Sequence, residues 1–173
     1  MPVLTKVFKP STLRVDAFRL EFLNAMRKAG VIIKKEDFGA ITKEWDHKPE
    51  IEVVVSLSPK GPQLLVDSSD KILNWGNYGT KKHDIWAGYY TGKSEHKVLA
   101  FASKSTPKTT PGVIGSKAGS TGPVDSFRPY VRHPGTEERG WDKAIVKKRA
   151  PWFKRRMVDA LKIAKQKSGH SLP

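Results

Sequence analysis

Apolar residues recur at helical intervals near the start of the chain: Leu13, Ala17, Leu20, Phe22, Leu23, Met26 and Ala29. That spacing predicts an amphipathic helix, opened by Ser11 or Thr12 and closed at Gly30. The period changes at Glu50–Ser58, EIEVVVSLS, where β-branched residues alternate with polar ones and predict a strand. Pro59-Lys60-Gly61-Pro62 reads as a turn, and Gln63–Asp67 as an antiparallel partner strand. Asp84–Ala87 and Phe127–Arg132 have extended character, and Val98–Ala102 reads as a buried strand. From Glu137 to about Lys167 the helical pattern returns, with Trp141, Ile145, Trp152, Met157, Leu161 and Ala164 near one face. Pro151 falls inside it. Proline lacks an N–H, and the residue before it avoids the helical region, so a kink or a break is expected near Ala150.

Other stretches carry weaker patterns. Residues 31–49 admit a short strand or staple at Val31-Ile32-Ile33, then a short helix through Phe38, Ile41 and Trp45. Residues 71–80 read as a strand or a short helix running into a loop. Residues 103–126 are dominated by Ser, Thr, Gly, Pro and Lys and read as a long flexible loop. The resulting expectation is an α+β fold with a mainly antiparallel sheet, an N-terminal helix and a long C-terminal helix, kinked or broken at Pro151. Residues 1–12 would form an extended arm, residues 13–168 a single domain, and residues 169–173 a tail.

Charge adds to this picture. The chain of 173 residues has 32 Lys and Arg against 17 Asp and Glu, a formal net charge of +15. Such a balance favours an acidic counterpart: nucleic acid, an acidic protein face or anionic lipid. There are no cysteines, which excludes disulfides, thiolate metal sites and thiol nucleophiles. No apolar run approaches the length of a membrane span, and the first residues lack the apolar core of a secretory signal, so a soluble product with no membrane contact is expected.

The candidate chemistry is sparse. His47, His83, His96, His133 and His170 form no metal-binding spacing, and no nucleophile elbow or phosphate-cradling glycine loop is present. No catalytic residue, cofactor or metal ligand is assigned, and a non-enzymatic protein is expected. Lys147, Lys148 and Arg149 precede Pro151, and Lys154, Arg155 and Arg156 follow it, interleaved with Trp152 and Phe153. These cations suit phosphates, with the rings as base platforms, or an acidic protein neighbour.

The most structured short segment is Tyr130–Trp141, YVRHPGTEERGW. Pro134-Gly135 sets a turn, Thr136 is an N-cap candidate, and Glu137 and Glu138 fall where a first helical turn favours carboxylates. Together with Asn77-Tyr78-Gly79-Thr80, Lys82-His83 and Ile85, and with the strand Val98-Leu99-Ala100-Phe101, the segment Val131-Arg132-His133-Pro134-Gly135-Thr136 with Arg139 and Trp141 resembles the tail-completion or neck proteins of long-tailed bacteriophages, also described as minor tail components. The resemblance covers roughly residues 70–165. It implies a small α+β virion protein, assembled in the host cytoplasm. Such a protein is a subunit of a homo-oligomeric ring, a hexamer being favoured, at the head–tail junction or upper tail. It acts there in tail completion and head–tail joining, beside stopper, tail-terminator or tube proteins and near genomic DNA in the channel. It assigns Tyr78, Gly79, Thr80, His83, His133, Pro134, Gly135, Thr136, Arg139 and Trp141 a structural role. A nucleic-acid-binding protein using the basic C-terminal helix is the alternative.

Overall fold

The computed structural model describes residues 15–59, 61–102 and 104–168. The expected arm at 1–12, the opening of the first helix and the tail at 169–173 lie outside the described residues.

Helix α1 spans Val15–Ile33 and continues through a π-helical turn, Lys34–Phe38, into the single turn α2, Gly39–Ile41. Gly30 therefore does not close the helix. A β-carbon at Gly30 would collide with Val53 and come within 2.8 Å of Leu64 Cδ1. The glycine is there for the close approach of a hairpin, and the backbone stays helical through it. Val31-Ile32-Ile33 is accordingly the last turn of α1, not a strand, and Ile33 points into the core.

The hairpin is the expected one. Strands β1 (Glu52–Ser58) and β2 (Gly61–Asp67) pair antiparallel from Glu52↔Asp67 to Ser58↔Gly61. Alternation places Val53, Val55, Leu64 and Val66 on the half-buried face and Val54 and Leu65 on the exposed one. Residues 71–78 resolve into a helix, α3 (Lys71–Tyr78), because Asp70 caps it: its carboxylate accepts the Leu73 N–H at 2.8 Å.

Helix α4 runs without a break from Trp141 to Lys167, through Pro151. The ring of Pro151 is on the exposed side, so the helix loses one backbone donor there without burying an unpaired group. Helices α1 and α4 lie antiparallel. Lys167 reaches Glu21 at one end of the pair, and Lys148 and Arg149 reach Asp37 at the other. Met26, Ala29 and Met157 fill one part of the contact, with Phe22, Leu23, Val55 and Phe153 around them. A second cluster joins Ile33, Ile41, Ile51, Leu73, Trp141 and Ile145. Each large side chain buried in this way contributes about 1.5–3 kcal/mol.

The fold is α+β and its pairings are antiparallel; among the described residues the strands form four two-stranded ladders in place of one continuous sheet. Three of them are nested between α3 and α4. Strand β3 (His83–Trp86) pairs with β8 (Tyr130–His133), β4 (Leu99–Phe101) with β7 (Ser126–Arg128), and β5 (Ser105–Thr106) with β6 (Ser120–Thr121). An isolated bridge, Thr80↔Thr136, closes the base in the same register as β3 and β8. Residues 80–136 thus make one long ribbon, with a 3-10 turn (Gly88–Thr91) and a loop inserted after β3. Two expectations change. The strand at 98–102 shrinks to three residues and is only half-buried, because it lies in the ribbon and not under a helix. The stretch at 103–126 is in part a laddered continuation of that ribbon. Its tip returns to the body: Ile114 packs on the core, Ser116 Oγ–H donates to Ala40 O at 3.0 Å, and Gly112 N–H donates to Arg139 O at 2.7 Å.

Candidate functional site

Of the three segments carrying the resemblance, the first and the last meet at the base of the ribbon, whereas Val98–Phe101 lies further out, Leu99–Phe101 pairing with Ser126–Arg128. Thr80 N–H donates to Thr136 O at 3.0 Å, and Thr136 N–H donates back to Thr80 O at 3.2 Å and to Thr80 Oγ1 at 2.9 Å. Gly79 and Gly135 both have positive φ, 72° and 96°. A β-carbon on Gly79 would lie 2.5 Å from Thr136 O, and one on Gly135 would collide with Thr80 O. Two backbones touching this closely, each in the left-handed half of conformational space, require glycine at both positions. Pro134, exposed, leads into that contact with its fixed φ.

His83 and His133 face each other across the β3–β8 ladder, with ring centroids 5.0 Å apart. His83 Nδ1 donates to Lys81 O at 2.8 Å, whereas His133 Nδ1 accepts the Gly135 N–H at 3.1 Å. Each ring is thereby used to hold the turn beside it. Tyr78 is largely exposed at the end of α3. Arg139 is mostly covered, with Nη1 3.7 Å from Glu137 Oε2. Trp141 is almost fully buried, 5.9 Å from Trp45, and its indole N–H has no hydrogen-bond partner among the described residues.

Thr136 does not cap α4. It sits in the bridge, and Glu137 and Glu138 lie in the connection before the helix and not in its first turn. Gly140 occupies the cap position and has no side chain to offer, so the acceptor comes from elsewhere: Asn77 Oδ1 receives the Asp142 N–H at 3.1 Å. Asn77 O also accepts the Gly140 N–H, and Gly76 O accepts that of Arg139. The end of α3 thus finishes the start of α4, and this capping role of buried Asn77 is what sequence reasoning missed. No local pattern signals it, since the partner is 65 positions away.

The basic helix divides into two groups. Lys148 Nζ lies 2.8 Å from Asp37 Oδ1, Arg149 Nε 2.5 Å from Asp37 Oδ2, and Arg149 Nη2 2.6 Å from Glu36 Oε2. Asp37 is fully buried in the π-helical turn. Its hydrogen bond holds the Arg149 guanidinium above its ordinary range, against burial and with help from Glu36. For these two cations the acidic neighbour lies within the chain. Lys147, Lys154, Arg155 and Arg156 remain on the exposed surface. The Trp152 ring is flanked by Arg149 and Arg156, with guanidinium carbons 5.2 and 5.4 Å from its centroid, so it is half-buried and partly covered by cations.

The ribbon carries a group of rings that the sequence reading did not single out. Trp86 pairs directly with Tyr130, ring centroids 4.6 Å apart, and Tyr130 O–H donates to Asp84 Oδ1 at 2.9 Å. That bond raises the Tyr130 phenol above its usual value, burial adding to it. Tyr90 meets Trp86 at 6.1 Å and Tyr89 at 5.4 Å, both edge-on, and Lys97 Nζ stands 5.2 Å from the Tyr89 centroid. The alternation Asp84, Trp86 and Tyr130, Arg132 is the signal that could have grouped them, once the two strands are paired.

Among the described residues no group of three or more His, Asp or Glu is placed to hold a metal ion, and no helix is long and apolar enough to cross a membrane. The arrangement at the joint is one of mutual backbone support. Comparison with protein-family models, with curated proteins and with solved structures finds no match to this chain.

Proposed function

We propose that this chain is a structural virion protein of a long-tailed bacteriophage. In this reading it is a ring subunit at the head–tail junction or upper tail that acts in tail completion and head–tail joining. The observation that carries the reading is the convergence of Tyr78-Gly79-Thr80 and His83 with His133-Pro134-Gly135-Thr136, Arg139 and Trp141 in one joint. Thr80 and Thr136 bond to each other, Gly79 and Gly135 pack against the opposite strand, and His83 faces His133, so two of the three segments chosen by sequence alone are in contact.

The surface supports assembly too. Trp75, Tyr78 and Phe127 are each more than half exposed. A subunit built to be covered by neighbours has such a surface. The alternative, a nucleic-acid contact along α4, is left with Lys147, Lys154, Arg155 and Arg156, since Lys148 and Arg149 are held by Asp37 and Glu36.

Electron microscopy of phage particles lacking the protein tests the reading. Filled heads without tails, or tails with unfinished upper ends, are the expected result. Intact and infectious particles would overturn it.

A further inference from the structure

The ribbon has a chemistry of its own. Residues 80–136 include nine Lys and Arg and only three Asp and Glu. On the β3–β8 ladder, residues opposite one another and two apart share a face, which puts Trp86, Tyr130, Asp84 and Arg132 together. The carboxylate in that group is already bonded to the Tyr130 hydroxyl. The Ala87 N–H donates to Pro129 O at 2.9 Å and pins the 3-10 turn against the end of the ladder, which brings Tyr90 and Tyr89 up beside Trp86. Trp86, Tyr89 and Tyr90 are 50–55% exposed, and Lys97 and Arg132 flank them, also exposed. Large rings left half in water need a covering group, and one that also suits cations.

We propose that this face of the ribbon, Trp86, Tyr89, Tyr90 and Tyr130 with Lys97 and Arg132, binds single-stranded nucleic acid, bases stacking on the rings and phosphates meeting the cations. Charge favours this occupant. The chain is strongly cationic, so a second copy of the same face is repelled. Protein interfaces are depleted of lysine, whereas Lys81, Lys82, Lys93 and Lys97 surround these rings in sequence. A duplex hides its base faces, and rings of this kind reach only unpaired bases. The site is separate from the basic surface of α4, and it does not depend on the virion reading: a tail-completion protein can lack it, and a protein with another role can have it.

The test is fluorescence anisotropy of the full chain with a labelled oligothymidylate of twelve nucleotides, the same length of duplex, and a polyglutamate peptide. The expected result is binding to the single strand at low salt that weakens roughly 7- to 18-fold between 50 and 200 mM salt, as two or three phosphate contacts require. Trp86→Ala weakens it about 10-fold, Trp86→Phe restores most of the loss, and the double variant Lys147→Ala, Lys154→Ala on α4 leaves it nearly unchanged. Should Trp86→Ala not fold, Tyr89→Ala in the exposed turn makes the same measurement. Equal affinity for the duplex, tighter binding of polyglutamate, binding insensitive to ring removal, or no binding at 50 mM salt would each overturn the proposal.

Discussion

At the scale of single residues, Asp70 shows how much one side chain fixes. One carboxylate oxygen caps α3 through Leu73 N–H, and the other lies 2.5 Å from His47 Nε2. Its carboxyl is held below the ordinary 3.8, chiefly by the Leu73 N–H and next by His47. A group whose pKa is depressed by folding adds stability above its unfolded value and loses it as pH falls through the folded one. Asp70→Ala is therefore expected to lower Tm at pH 7, with the gap to the parent protein narrowing once pH drops below 3.8. Thermal melts of both proteins across that range check it, and a gap that stays constant would show that the ionised cap is irrelevant. Asp before a run of apolar and polar residues was a readable helix signal, but Gly76 and Asn77 within the run blurred it toward a loop. Thr136 shows the opposite error. It has the chemistry of a cap, yet pairing with Thr80 uses its backbone in a bridge, and the acceptor for α4 comes from Asn77 on another helix. Side-chain partners drawn from 65 to 112 positions away, as for Asn77 and Asp37, leave no trace in local pattern.

At the scale of elements, periodicity identified what was long and half-buried: α1, the β1–β2 hairpin and α4. It failed where elements are short. Strands of two to four residues, such as β4, β5 and β6, are defined by their partners across the ribbon and carry too few positions to show alternation. Pro151 misled in a different way. A helix with one face in the core and one in water tolerates a proline on the wet side, because packing of Ile145, Met157, Ala160 and Ala164 holds both halves in line. That tolerance still has a cost. The carbonyl of Lys147 has no N–H from residue 151, and proline inside a helix is about 3 kcal/mol worse than alanine. Pro151→Ala is expected to stabilise the protein by about 1–3 kcal/mol, part of the difference having been relaxed by the surrounding helix. Denaturant unfolding measures it. A neutral or destabilising result would mean that the α1–α4 contact needs a bend that only proline supplies.

At the scale of the whole molecule, the body and the ribbon are unequal partners. The body consists of α1, the hairpin, α3 and α4. In the ribbon, Ile114 packs against the main hydrophobic cluster, and Ser116, Gly112 and Lys108 add polar ties to Ala40, Arg139 and Asp46. The ends of the ribbon are adjacent at the Thr80↔Thr136 bridge. A chain in which Gly-Gly joins Thr80 directly to Thr136 is expected to keep its helical circular dichroism and unfold in one transition, with stability lowered by about 2–4 kcal/mol for the lost apolar contact and ties. Absence of a cooperative transition would show that the ribbon is part of the core. This division was hidden in the sequence, where the nested strands are interrupted by a loop at 92–98 and by a Gly- and Ser-rich tip. The return of that tip has a mechanical consequence. A ribbon held only at its root would swing like a cantilever, and a pull on its rings would bend it at one hinge. Held at Thr80–Thr136 and again at Ala40 and Arg139, it behaves as a span with two abutments. Load applied to Trp86 or Tyr90 is then shared between the α3–α4 joint and α2, and the outer face keeps its direction while under tension.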